Sequence, residues 1–116
     1  MHPAAADGVF WDKLERDVIA EKLRETAVAV GEVIVRNPDL PLDEASVILD
    51  SALHKTLKFY VAAGAVDTYQ IGLALDENTR AVIARVVFRL REGGAQGQTV
   101  LRLNCRVPSP PAGPSL

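Results

Sequence analysis

The spacing of apolar residues changes once along the chain, near residue 65, and this constrains the fold more than any other feature of the sequence. Before that point apolar residues recur every three or four positions, the spacing of one face of a helix. After it they recur every second position, the spacing of one face of a strand. The chain therefore reads as a helical half followed by a stranded half, with helices available to one face of a sheet. This order predicts an α+β domain.

In the helical half, residues 12–36 read as one long helix. Asp12 and Glu15 supply a capping signature at its start. Leu14, Val18, Ile19, Leu23, Ala27, Val30 and Ile34 recur at helical spacing. The later part, AVAVGEVIVR, is apolar enough to predict burial on more than one side, although Gly31 weakens it as helix. Asn37, Pro38 and Asp39 stop it, because the residue before a proline avoids the helical region and Asn and Asp favour turns. A second helix starts at Pro41 or Leu42, with Asp43 and Glu44 suited to the positive end of its dipole. Ala45, Leu49, Leu53, Leu57 and Val61 form its apolar ridge, widened by Ile48, Ala52 and Tyr60, and Gly64 is placed to end it.

In the stranded half, Tyr69, Ile71, Leu73 and Leu75 alternate with Gln70, Gly72 and Ala74. A turn over residues 76–79 follows. Residues 80–92 fit a helical face through Val82, Ile83, Val86, Val87 and Leu90, and a strand face through Val82, Ala84, Val86, Phe88 and Leu90. Their β-branched content favours the strand. A glycine-rich loop spans residues 93–97, and a third strand carries Leu101, Leu103, Cys105 and Val107 inward. Hairpins centred on these turns pair Leu73 with Val82 and Ile71 with Ala84 in the first, and Leu90 with Leu101, Phe88 with Leu103 and Val86 with Cys105 in the second. The expected architecture is two N-terminal helices packed on one face of a three-stranded antiparallel β-meander.

The chain has 116 residues, enough for one domain and too few for two. The domain is expected over residues 12–107, after a flexible start of residues 1–11 and before a Pro-rich tail, residues 108–116. Trp11, at the end of the flexible start, reads as a staple or docking residue. Aromatic residues make up 5% of the chain, so Val, Leu, Ile and Ala must build the core. The single cysteine, Cys105, excludes an internal disulfide, and its place in an alternating run marks it as a small buried hydrophobe. No apolar stretch of about 20 residues offers a membrane span. No basic segment followed by an apolar one offers a signal peptide. The expected setting is the cytoplasm or a virus particle, without a membrane partner.

The overall charge of −2 hides a split: residues 1–78 carry 7 basic and 14 acidic side chains, net −7, whereas residues 79–116 carry 6 arginines and the single acid Glu92, net +5. The expected register turns Arg85, Arg89, Arg91, Arg102 and Arg106 away from the helices. It sets Arg89 opposite Arg102 and Arg85 opposite Arg106, like-charge pairs that cost stability. Every basic residue in this segment is arginine, which suits planar, bidentate partners such as carboxylate or phosphate. Ile83, Val87 and Val100 share the outer face, and apolar residues mixed with arginine resemble a protein interface more than a surface that tracks phosphates. An acidic helical surface of another copy, through Glu21, Glu25, Glu32 or Asp43, is one partner. A nucleic-acid backbone is another.

Groups for chemistry are sparse. His2 is near the terminus, and His54 has Asp50 one helical turn before it, a pair that reads as a surface ion pair. No phosphate-binding, dinucleotide-binding or nucleophile-elbow motif is present, and no His/Cys cluster has metal-ligand spacing. No catalytic, cofactor or metal residues are therefore assigned. The expectation is a non-catalytic structural or assembly protein acting through homo-oligomeric or heteromeric contacts, with a viral or other particle as one setting. A nucleic-acid-associated protein using the arginine face is the alternative, and a small enzyme or ligand-binding domain the third reading.

Overall fold

The computed structural model describes residues 4–105, with side chains from residue 15 onward. Two helices, α1 (Ala4–Val35) and α2 (Leu42–Ala62), precede three strands, β1 (Val66–Asp76), β2 (Ala81–Leu90) and β3 (Gln96–Asn104). The strands form an antiparallel sheet in the order β1-β2-β3. Both helices pack on one face, α1 over β3 and α2 over β1 and β2. The layering is the α+β architecture that the change of period predicts, and residues 81–90 are strand.

Helix α1 begins at Ala4, so the start expected at Asp12 falls inside it. Ala4, Ala5 and Ala6 are the strongest helix formers, and they extend the helix past the capping signature. The side chain of Trp11, residue Arg106 and the Pro-rich tail lie outside the described residues. Helix α1 buries Ile19, Leu23, Ala27, Val30 and Ile34, while Val18 is 47% exposed. Burial on a second side is not met within the chain: Val28, Val33 and Val35 stand at 62%, 50% and 49% exposure. Two helices above three strands supply α1 with neighbours on two sides only.

Helix α2 buries Ala45, Leu49, Leu53 and Leu57 completely, and Val61, Ala52 and Tyr60 pack against that ridge. Its end is a Schellman motif. The N–H of Ala65 donates to the Tyr60 carbonyl and that of Gly64 to the Val61 carbonyl, each at 3.0 Å. Gly64 has φ +84°, which a side chain would strain. The helices meet across a half-buried contact of 2.9 Å between Thr26 Oγ1 and Thr56 Oγ1.

The register differs from the expected one in both hairpins. Leu73 pairs with Ala84 rather than Val82, and Phe88 pairs with Gly97 rather than Leu103. The shifts are of two and six residues, both even, so every side chain keeps its expected face. Arg91 to Gly94 make the second turn, closed by Leu90 N–H donating to the Ala95 carbonyl at 2.8 Å. Gly97 is therefore a strand residue and not part of the loop. A Cβ on Gly97 would stand 2.6 Å from Phe88 Cε2, inside the ring's van der Waals envelope. The missing side chain is the space that Phe88, 1% exposed, occupies. Gly31 does similar work in α1. A Cβ there would lie 3.1 Å from Leu103 Cδ1, so glycine lets the helix lie close to β3.

The first turn is held by side chains. Asp76 Oδ1 accepts from the N–H groups of Asn78 and Thr79 at 3.1 and 3.3 Å. Hydrogen bonding from Thr79, side chain first and backbone second, holds the Asp76 carboxyl below its ordinary pKa. Arg80, with φ 50°, donates from Nη2 to the Leu40 carbonyl at 3.2 Å, and its own carbonyl accepts from Cys105 N–H at 2.8 Å. These bonds tie the helix connection, the first turn and the end of β3 together. They also secure a left-handed conformation that is uncommon outside glycine. Cys105 is 5% exposed, as its alternation predicts, and desolvation raises its thiol pKa.

Two outcomes follow. Gly97→Val forces Phe88 from its site and should cost about 1–3 kcal/mol by urea denaturation, the usual range for overpacking. A carboxylate with a depressed folded pKa adds stability that is complete above its unfolded value and is lost as pH falls through the folded one. Asp76→Asn should therefore flatten the loss of stability below about pH 4, measured as urea midpoint against pH.

Candidate functional site

The helices cover one face of the sheet and leave the other bare. Pleating puts Ile83, Arg85, Val87 and Arg89 of β2 on this outer face, with Gln96, Gln98, Val100 and Arg102 of β3 beside them. Strand β1 contributes Thr68, Gln70, Gly72 and Ala74. On β2 every second residue is buried in the core, so the alternation that buries Ala84, Val86 and Phe88 also turns the arginines outward.

The arginines do not oppose one another. Arg85 faces Val100, Arg102 faces Ile83, and Arg89 faces Gln96. The expected pairing of Arg89 with Arg102 is absent because the turn lies earlier in sequence than the glycine-rich segment implied. Arg106, the expected partner of Arg85, lies outside the described residues. Arg91 sits beyond the end of β2, in the second turn, where its N–H donates to the Ala65 carbonyl at 3.0 Å. The described face thus holds three guanidinium groups: Arg102 of β3 lies diagonal to Arg85 of β2, and Arg89 stands four residues further along β2. Diagonal neighbours on adjacent strands are about 7–8 Å apart, close enough for one partner surface to meet both.

Two of the three are held in place by neutral groups. Arg102 donates from Nη2 to Thr79 Oγ1 at 2.8 Å and from Nε to Asn104 Oδ1 at 3.2 Å. With the Gln98 amide turned so that both its ends are satisfied, its oxygen accepts from Nε and Nη2 of Arg85 at 3.2 Å each. Arg89 makes no hydrogen bond or ion pair within the described residues. One carboxylate, Asp76 at the end of β1, shares this face: hydrogen bonds from Thr79 and, to a smaller extent, the charge of Arg102 lower its pKa. Arg85 is oriented by a neutral partner, which leaves its charge uncancelled. Thr79, Gln98 and Asn104 were not singled out from the sequence. The outward parity of Gln98 and Asn104 was legible there, but their contacts depend on the observed register.

The acidic counterpart lies elsewhere on the molecule. Glu21 and Glu25 are engaged within α1, by Arg24 at 3.0 Å and Lys22 at 3.4 Å. Glu32, Asp43 and Glu44, together with Asp39, make no ion pair among the described residues, and all four are exposed around the α1–α2 connection. Four exposed acids thus gather at the α1–α2 connection, with Arg36 among them, while Arg85 and Arg89 stand on the sheet face.

The remaining polar cluster is Asp50–His54–Tyr69. His54 Nε2 lies 3.4 Å from Asp50 Oδ1, and Nδ1 lies 2.9 Å from the Tyr69 hydroxyl. A neutral ring with its proton on Nε2 satisfies both contacts, and the tyrosine then donates to Nδ1. The cluster joins α2 to β1. Neither His54 nor Asp50 lines the α1–β3 groove or the pocket between α1 and α2. Among the described residues no group of three His, Cys, Asp or Glu side chains is placed to hold a metal ion. No described helix is long and apolar enough to cross a membrane.

No match to this chain was found among family models, curated proteins or solved structures.

Arginines on an open, solvent-exposed face add little to folding. Replacing Arg85, Arg89 or Arg102 by Gln should change stability by less than about 0.5 kcal/mol each, the ordinary range for surface positions, as read by thermal or urea denaturation.

Proposed function

We propose that this chain is a non-catalytic assembly protein that works through protein contacts, with the basic sheet face of one copy seated on the acidic α1–α2 corner of another. The observation that supports it is the separation of charge, with Arg102 alone among the three arginines near a carboxylate, Asp76. Arg85, Arg89 and Arg102 lie on the bare sheet face, while Glu32, Asp39, Asp43 and Glu44 lie at the helix connection. Opposite potentials on two patches favour association and fix orientation. The partly apolar setting, with Ile83 and Val87 half-buried and Val100 59% exposed, suits a protein surface that can be desolvated.

The contact joins two different patches, so it is heterologous. It generates rings when the rotation closes and filaments when it does not. A two-fold dimer through the sheet face alone would oppose like charges. Particles built from many copies, viral ones included, are a natural setting for such contacts. The nucleic-acid reading is weaker. The two aromatic residues of the described strands, Tyr69 and Phe88, lie on the helix side of the sheet, so the arginines have no stacking platform beside them.

Light scattering at low and high salt tests the proposal. The screening length falls from about 10 Å at 0.1 M to about 3 Å at 1 M, so an assembly held by exposed charge should dissociate as salt rises. Joint replacement of Arg85, Arg89 and Arg102 by Gln should give a monomer at both salt levels, and so should Glu32→Gln with Asp43→Asn. A parent protein that stays monomeric at low salt and high concentration would refute the contact. Salt-sensitive capture of a short DNA duplex by that monomer, lost on Arg89→Gln, would move the assignment to nucleic acid.

A further inference from the structure

The free edge of β3 and the C-terminal half of α1 bound an open groove of about 670 Å³. Val28, Gly31 and Val35 of α1 line one wall, and Val100, Leu101 and Leu103 of β3 line the other. Val28 and Val35 lie two helical turns apart and are 62% and 49% exposed. They form a stripe that overhangs the sheet where it stops.

We propose that this groove binds an extended segment of a different polypeptide, which adds to β3 as a fourth strand beneath α1. The unpaired side of β3 presents backbone N–H and C=O groups that match another strand. Arg16 Nη1 caps the Gln96 carbonyl at the start of the strand, at 3.2 Å. Beyond it the edge is open: β3 contains no proline, pairs with β2 without a bulge, and carries Arg102 as its only charge. Alternate side chains of the incoming strand would lie under Val28, Gly31 and Val35. Gly31 brings α1 close to β3, so the space suits small or β-branched residues rather than aromatics. Arg24, Arg36 and Arg102 border the groove against the single acid Glu32. Arg36 makes no ion pair among the described residues, and Arg24 is already paired with Glu21. This balance favours acidic residues at the ends of the incoming strand.

Edge-to-edge pairing with a second copy is disfavoured by helix size. Adjacent strands lie about 4.8 Å apart, whereas packed helix axes need about 8–10 Å. Pairing β3 with its own copy would bring two α1 helices, one above each strand, closer than that. β1 of another copy would bring its α2 in the same way. The incoming strand must carry no helix on that face. The groove shares Val100, Arg102 and Glu32 with the assembly contact, but its test reads the β3 backbone amides and the α1 positions Val28 and Val35, which that contact does not use.

The probe is a synthetic peptide matched to the nine residues of β3, alternating valine and threonine between terminal aspartates. Added to the full-length protein, it should bind and slow hydrogen exchange at the β3 amides that face away from β2. An otherwise identical peptide, N-methylated at alternate residues, cannot complete the ladder and should not bind. Val28→Asp and Val35→Asp lie at exposed positions outside the core and should each weaken binding by about tenfold or more. Unchanged affinity in both variants, equal binding of the methylated peptide, or no binding up to roughly 1 mM would overturn the proposal. So would protection of the same amides in the protein alone together with dimer formation, which would make a second copy the occupant.

Discussion

The fit of Phe88 into the space above Gly97 fixes which β3 residue meets which β2 residue, and much of the outer surface follows from it. The ring is 1% exposed and the glycine opposite it has no room for a side chain. With Phe88 on Gly97, Val100 falls opposite Arg85 and Gln96 opposite Arg89. Arg102 then lies within reach of Thr79 in the first turn, at 2.8 Å. A register in which Phe88 met Leu103 would place arginine against arginine. One core contact therefore determines whether the outer face is a row of repelling charges or a set of separately oriented ones.

The same geometry accounts for the surfaces that remain open. Two helices cover most of one face of three strands, leaving Leu73 and Leu75 of β1 exposed, and the core they enclose is mainly aliphatic, with Phe88 its one fully buried aromatic ring. They leave the outer face bare, the edge of β3 unpaired and one side of α1 apolar and exposed. Both proposals rest on these surfaces. The arginine face offers charge, whereas the β3 groove offers backbone and apolar side chains, so the two suit different partners.

Much of this was legible in the sequence because periodicity is a local property. The switch in spacing near residue 65 gave the order of elements, and the ridge Ala45–Leu49–Leu53–Leu57 gave the buried face of α2. Facing in the sheet also survived, since both register errors were even shifts. What was not legible depended on contacts between distant residues. Gly97 looks like one more loop glycine until Phe88 is placed over it. Gly31 looks like a weak point in a helix until α1 meets Leu103. The valines of α1 predict burial, but only the number of neighbouring elements shows that one side goes uncovered. At the arginine face, the identity of the charges was readable and their partners were not. The start of α1 was misplaced because a local capping signature at Asp12 competes with an alanine run that carries the helix further.

The most direct test of this account is a nuclear Overhauser spectrum of the aromatic protons of Phe88. The observed register requires strong cross-peaks from the ring to both α-protons of Gly97. It also requires backbone contacts that place Arg85 across from Val100. Strong ring contacts to the Leu103 methyl groups in place of Gly97, with Arg89 across from Arg102, would contradict it. The arrangement of charge on which the outer face depends would fall with it.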